Sequence, residues 1–460
     1  MDTRYRIHGG IPLRGDVLIS GSKNAALPLI AASVLTNGET VLHNVPRLRD
    51  VISLLTILEF LGAETSFQAN TVRIRTHKLQ NRLIPAEFVS KLRGSIVLLG
   101  PLLARFGKVE MAYPGGCVLG KRPVHAHIAA LEQLGAKDLS TDEMLHLEGD
   151  LKPGRVILPE FSVTATENAV LAAALVSGET RIDLAAAEPH VQEVEMLARA
   201  MGADVEGIGT HTVLVRGTRT LHAVTHTVTS DYLEAGAFTI AALVTKGKVR
   251  LHGAESEHLL SFLQTIRRLG GVWKIEDGVL FVDGELSSLK SIEVRTNIFP
   301  GFPTDLQATM GVAMTQAQGV SRIFERLFEG RMAYLYELEK MGAHIEILNA
   351  HEALVIGPTA LRGRTVSSND IRAGAAMVLA GLCAEGETTI TDVRYIERGY
   401  DRFDEKLRSL GADIEKTVVE EVKREKDSEP LSVSPSVDYH SPAHGNDRLP
   451  RRTGTPVHLR

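Results

Sequence analysis

Six stretches of the chain are apolar on nearly every side. SKNAALPLIAASVL, LRGSIVLLGPLLAR, TATENAVLAAALV, DYLEAGAFTIAALV, TDLQATMGVAMTQA and IRAGAAMVLAGLCA read as helices without a polar face. Such a helix has to be buried all round, so the six are expected inside, with sheets and further helices outside them. Each runs into a glycine and a short alternating segment, as in LTNGETVLHNV and LVSGETRIDL, which predicts a glycine-closed helix and then a strand. A second helix ending in Leu-Gly-Ala or a close variant follows, and after it one or two strands such as TVRIRT or GVLFVDG.

These elements recur. The first glycine of the Leu-Gly-Ala fragment is Gly62, Gly135, Gly202, Gly270, Gly342 and Gly411, at intervals of 67 to 73 residues, and Gly38, Gly107, Gly178, Gly247, Gly319 and Gly386 keep the same beat. Six copies of one α/β unit, three to a domain, therefore account for the chain as far as residue 417. The starts of the six central helices carry Lys23 with Asn24, Arg93, Thr164, Asp231, Thr304 with Asp305, and Arg372. Buried parallel helices would aim their positive ends at one surface, and two such domains face to face would make a cleft suited to phosphates and carboxylates.

At 460 residues the chain is long enough for more than one core. A net charge of -5 and a 23% charged share leave no need for a basic face, which argues against a nucleic-acid partner. No apolar run reaches the roughly 20 residues of a bilayer span. The first twenty residues alternate like a strand instead of holding a signal peptide's apolar block, so no membrane partner and a cytoplasmic location are expected. Cys117 and Cys383 are the two thiols, without a disulfide framework or a CxxC pair. The histidines of HAH at 125–127 lack carboxylates at a ligand spacing and read as solvated loop residues, so neither metal nor cofactor is expected. Residues 418–460 are polar with five prolines and read as a disordered tail of no assigned partner.

Cys117 follows a glycine pair and precedes Lys121 and Arg122. A free thiol titrates near about 8.5, and adjacent cations lower that value, making a proton donor and a nucleophile of it. The alternative is a small buried residue; the flanking glycines and cations favour an exposed loop. Cys383, inside an apolar helix, reads as core.

SGSKNAALP, the PGGC loop, GKRPVHAHI, FPTDLQA, FEGRMAYLYELEKMGA, IRAGAAMVLAG and ERGYDRFDEKLRSLGA resemble the enolpyruvyl transferases, and among them the branch acting on UDP-N-acetylglucosamine. The resemblance implies an α/β fold of two inside-out domains, each of three repeats around buried helices. Residues 23–230 form one domain; residues 1–22 plus 231–417 form the other, with the N-terminal strand in the C-terminal half. It implies transfer of the enolpyruvyl group of phosphoenolpyruvate to the 3-hydroxyl of UDP-N-acetylglucosamine through a tetrahedral ketal, with release of phosphate, as the first committed step of peptidoglycan synthesis.

By the same resemblance, Cys117 protonates the methylene carbon and is the residue that fosfomycin alkylates, and Asp305 is the base for the sugar hydroxyl. Lys23, Arg122 and Arg398 bind phosphoenolpyruvate, and Lys23 and Arg398 count with Cys117 and Asp305 as catalytic. Arg331 and Arg372 add charge around the carboxylate and phosphate. Asn24, Arg93, Pro123, Ser162, Val163 and Thr164, together with Asp305, line the nucleotide-sugar pocket. Three positions depart from the family pattern: His125 stands where Asp is frequent, Thr164 where Gly is, and Tyr395 where His is. They are tolerated if the nucleotide sugar is recognised through the main chain, and bear on its specificity if side chains do the recognising. Two alternatives stay open. One is the sister activity on shikimate 3-phosphate, against which the cysteine loop weighs. The other is a silent nucleotide-sugar-binding paralogue, against which Lys23, Cys117, Asp305 and Arg398 weigh together.

Overall fold

The computed structural model describes residues 2–90, 92–115 and 124–419. The six apolar stretches form its interior. Lys23–Ala32, Val163–Ala174, Tyr232–Val244 and Ile371–Cys383 are α-helical from their first residue. The other two enter through a 3-10 turn, Arg93–Leu98 before Leu99–Phe106 and Thr304–Leu306 before Gln307–Thr315, where the apolar pattern predicted plain α-helix. Neither entry has a side-chain cap. Shorter i→i+3 bonds, from Ser95 N to Leu92 O and from Leu306 N to Pro303 O, tighten the first turn instead. Every residue of Tyr232–Val244 and of Gln307–Thr315 is buried, as helices without a polar face require.

Around these helices lie, among the described residues, five four-stranded sheets and one three-stranded sheet. A typical sheet takes an antiparallel trio from its own unit and a parallel strand from the unit before. Thus Gly178–Asp183 pairs antiparallel with Thr212–Gly217 and parallel with Arg155–Ile157. The six Leu-Gly-Ala glycines all have φ between 91° and 114°. Each is the left-handed residue that ends a helix, a conformation glycine takes without steric cost, and this explains why the fragment recurs.

Buried side chains gather into two cores. One runs from Ala25 to Val228; the other joins Tyr5 through Ile19 to Tyr232 through Ile414. The chain passes between them twice, where Gly21 and Ser230 form an antiparallel bridge. A side chain at Gly21 would stand 1.7 Å from the Asn44 carbonyl oxygen, so the crossing tolerates only glycine there. Strand Asp2–His8 lies between Glu387–Thr391 and Asp413–Val419, antiparallel to both. This last strand corrects the expected tail by two residues: Val418 and Val419 pair with Thr3 and Asp2. Their partners were invisible locally, because they are the other end of the chain. Residues 420–460 lie outside the described residues.

Candidate active site

Asp305 sits in the Thr304–Leu306 turn, between two arginines. Arg331 Nη1 donates to Oδ1 at 2.8 Å, and Arg372 donates to Oδ2 from Nε at 3.1 Å and approaches it with Nη2 at 3.0 Å. Both guanidinium groups are buried, and Arg372 lies 5.5 Å from the centre of the Tyr400 ring. Burial alone would raise the Asp305 pKa; Arg372 and Arg331 outweigh it and hold the carboxyl well below the usual carboxylate range. The two arginines expected to add charge around the carboxylate and phosphate of phosphoenolpyruvate both pair with Asp305. Arg331 Nε and Arg372 Nη1 still have no hydrogen-bond partner among the described residues.

A second carboxylate repeats this arrangement. Asp50, buried in the first turn of helix Arg49–Phe60, accepts from Arg398 Nε at 2.8 Å and Nη2 at 3.4 Å, and Lys23 Nζ lies 3.5 Å from it. Lys23 opens the first helix, whose cap Ser22 accepts from Ala25 N, and Asn24 stands beside it. Arg398 closes the 3-10 segment Val393–Arg398 on the other core, so Asp50 ties the two halves together. In both clusters one carboxylate faces two cations, and buried Asp231 also acts electrostatically on Arg372 and Lys23.

The expected nucleotide-sugar residues open helix Val163–Ala174. Its N-cap Ser162 makes no side-chain capping bond, and Thr164 Oγ1 lies 2.7 Å from His127 Nε2. His127 corrects the reading of HAH as solvated loop: it is buried within helix His125–Gln133, and only His125 is exposed. The apolar positions around it place that ring on the inward face of a helix. Arg93 Nη1 donates to Pro114 O at 3.3 Å. Tyr395, in the Val393–Arg398 segment, lies under Arg394 with the guanidinium 5.2 Å from its ring centre. Cys117, Arg122 and Pro123 lie outside the described residues. Cys383 is half-buried at the end of its helix, and burial pushes its thiol up to about 12.

Asp50, Glu188 and His190 were missed. Glu188 holds the N-cap position of helix Pro189–Ala200 without a side-chain capping bond, and His190 is buried in its first turn. Burial pushes His190 down to about 4 against the pull of Asp305, so the ring is neutral. The signal available was AEPHV, an acidic residue and proline at a helix start. No group of three or more metal-ligating side chains occurs among the described residues, and no helix there is long and apolar enough to cross a membrane.

Residues 7–407 match the model of the EPSP synthase (3-phosphoshikimate 1-carboxyvinyltransferase) family. A UDP-N-acetylglucosamine 1-carboxyvinyltransferase from Magnetococcus marinus is 41% identical over 412 residues, covering 89% of this chain and 98% of that protein. One from Methylacidiphilum infernorum is 41% identical over 415 residues, with the same coverage of 89% and 98%. Among solved structures, the enolpyruvyl transferase NikO from Streptomyces tendae has a TM-score of 0.83 at 24% identity, covering 91% of this chain and 100% of that one. An EPSP synthase from Acinetobacter baumannii has a TM-score of 0.70 at 20% identity, covering 91% and 100%. These two likenesses concern the fold. With the family model matched over most of its length, and with curated relatives of this identity along nearly their whole length, the chain belongs to the EPSP synthase family of enolpyruvyl transferases.

Proposed function

We propose that the chain transfers the enolpyruvyl group of phosphoenolpyruvate to the 3-hydroxyl of UDP-N-acetylglucosamine and releases phosphate. The observation that carries this reading is the pair of cation clusters, Lys23 and Arg398 on Asp50 and Arg331 and Arg372 on Asp305. They occur in a chain 41% identical to proteins named for that activity. A substrate with one carboxylate and one phosphate suits two sites each lined by two cationic side chains. The same relatives, together with the cysteine of PGGC, favour the nucleotide sugar over shikimate 3-phosphate.

In this reading the methylene carbon of phosphoenolpyruvate takes a proton from Cys117 and the adjacent carbon becomes electrophilic. The sugar oxygen adds to it, giving a tetrahedral ketal, and loss of phosphate and a methyl proton restores the double bond. Lys23, Arg122 and Arg398 hold the phosphate; Arg331 and Arg372 share the remaining anionic charge. Asp305 takes the hydroxyl proton. Its two arginines make it a weak base at rest, so the transfer occurs as the carbon–oxygen bond forms and the hydroxyl becomes acidic. Asn24, Arg93, Pro123 and the Ser162–Thr164 turn receive the nucleotide sugar. Residues 23–230 and residues 1–22 plus 231–417 act as the two domains. The reaction is the first committed step of peptidoglycan synthesis, runs in the cytoplasm and is blocked by fosfomycin at Cys117.

The test is phosphate release from phosphoenolpyruvate with either acceptor, with and without prior fosfomycin. Release with UDP-N-acetylglucosamine alone, lost after the drug, is expected. Release with shikimate 3-phosphate, or with neither acceptor, refutes the assignment.

A further inference from the structure

His127 joins two segments 37 residues apart in sequence. Its Nε2 lies 2.7 Å from Thr164 Oγ1, and its Nδ1 faces the Val124 carbonyl at 3.3 Å. A carbonyl only accepts, so Nδ1 carries the proton, Nε2 is bare, and the Thr164 hydroxyl donates to it. Burial first and Arg93 second push the His127 pKa down to about 4, which keeps the ring neutral and this direction intact at neutral pH.

Thr164 occupies the second position of helix Val163–Ala174, whose N-cap contributes no side-chain capping bond. The helix ladder begins with Thr166 N on Ser162 O at 3.0 Å, and the N–H groups ahead of it have no intrahelical carbonyl to use. They are the donors that an anion at a helix start would take. A threonine with a free hydroxyl rotor competes locally for backbone groups. Bound to His127, it cannot. Asn168 fixes the same turn from within, donating to Thr164 O at 2.9 Å and to Ile96 O at 3.0 Å while accepting from Gly100 N at 2.6 Å.

We propose that His127 is a positioning residue for the nucleotide sugar: by accepting the Thr164 hydroxyl proton it locks the Ser162–Thr164 turn and leaves the helix-start amides to the ligand. This rests on the nucleotide-sugar reading above. It also assigns a purpose to Thr164, one of the three departures from the family pattern.

Four variants of the full chain test it. Thr164→Val removes the hydroxyl and keeps the shape, Thr164→Ser keeps the hydroxyl, and His127→Leu and the Thr164→Val/His127→Leu double variant complete a cycle. For one lost neutral hydrogen bond, the KM for UDP-N-acetylglucosamine rises about five- to tenfold in each single valine or leucine variant, and that for phosphoenolpyruvate moves less than about twofold. The double variant is no worse than the poorer single one, and Thr164→Ser, which keeps the hydroxyl, raises that KM less than Thr164→Val does. Equal rises for both substrates, or additive losses in the double variant, overturn the proposal. Amide hydrogen exchange without substrate supplies an independent reading. The Thr166 amide, bonded to Ser162 O, exchanges faster in Thr164→Val and at the wild-type rate in Thr164→Ser; unchanged exchange in Thr164→Val also overturns it. If wild type is inactive with the nucleotide sugar, the functional reading falls, and the exchange result alone decides whether His127 positions the turn.

Discussion

Replacing Asp50 with asparagine removes the carboxylate that Lys23 and Arg398 share while keeping its size. The side chain is 6% exposed, and its partners are 12% and 16% exposed. Removing one partner of a fully buried ion pair costs about 3–5 kcal/mol, chiefly because the other charge stays desolvated. Here both cations retain a path to water, and asparagine still offers Arg398 an acceptor, so the expected loss is smaller, about 2–3 kcal/mol. The loss has a distinctive remedy. With Asp50 gone, Lys23 and Arg398 are two like charges near one another, and an anion that binds both restores the balance. Inorganic phosphate therefore stabilises Asp50→Asn more than it stabilises wild type. Urea unfolding with and without phosphate measures both effects, and the KM for phosphoenolpyruvate should rise. A stability loss below about 0.5 kcal/mol, within the range of ordinary surface substitutions, or an equal phosphate effect on both proteins, would refute the bridge.

Asp305 gives a pH dependence of definite sign. Its folded pKa is depressed, so its stabilisation is in place above the unfolded value, about 3.9, and disappears as pH falls through the folded value. Asp305→Asn should flatten the acid limb of stability against pH and lower turnover at least about a hundredfold; an acid limb identical to wild type would sink the two-arginine account. Glu195 has the opposite sign. Burial pushes it up to about 8, opposed by the Gly209 N–H at 3.3 Å, so its stabilisation is full below the unfolded value and lost as pH rises through 8. Glu195→Gln should gain on wild type by more than about 1 kcal/mol between pH 5 and pH 8.5, measured by denaturant unfolding, and a constant difference across that window counts against it. Because burial raises the Cys383 thiol to about 12, iodoacetamide at mild alkaline pH should add one label, at Cys117. Peptide mass spectrometry showing Cys383 labelled at a comparable rate would contradict that.

The six central helices were legible in the sequence because a helix buried on every side has no choice of face, and their apolar runs say so residue by residue. The Leu-Gly-Ala stops were legible for a similar reason: a left-handed residue at a helix end is a local demand that glycine meets. Lys23, Asp305 and Arg372 stood out as charges at helix starts, and Arg398 through the family resemblance. What their charges meet was not legible. Arg398 finds Asp50 across 348 residues and Arg372 finds Asp305 across 67, and no local period records such a pairing. Asp50 went unnoticed and His127 looked like a solvated histidine, because burial and partners at that distance arise only when six units close on one another. Hydrophobic periodicity and backbone stereochemistry act within a few residues, so the sequence by itself determined the repeating unit and its buried helices. Ion pairs and hydrogen bonds act through space, so only the tertiary structure decided which cations share a carboxylate and which hydroxyl is held still.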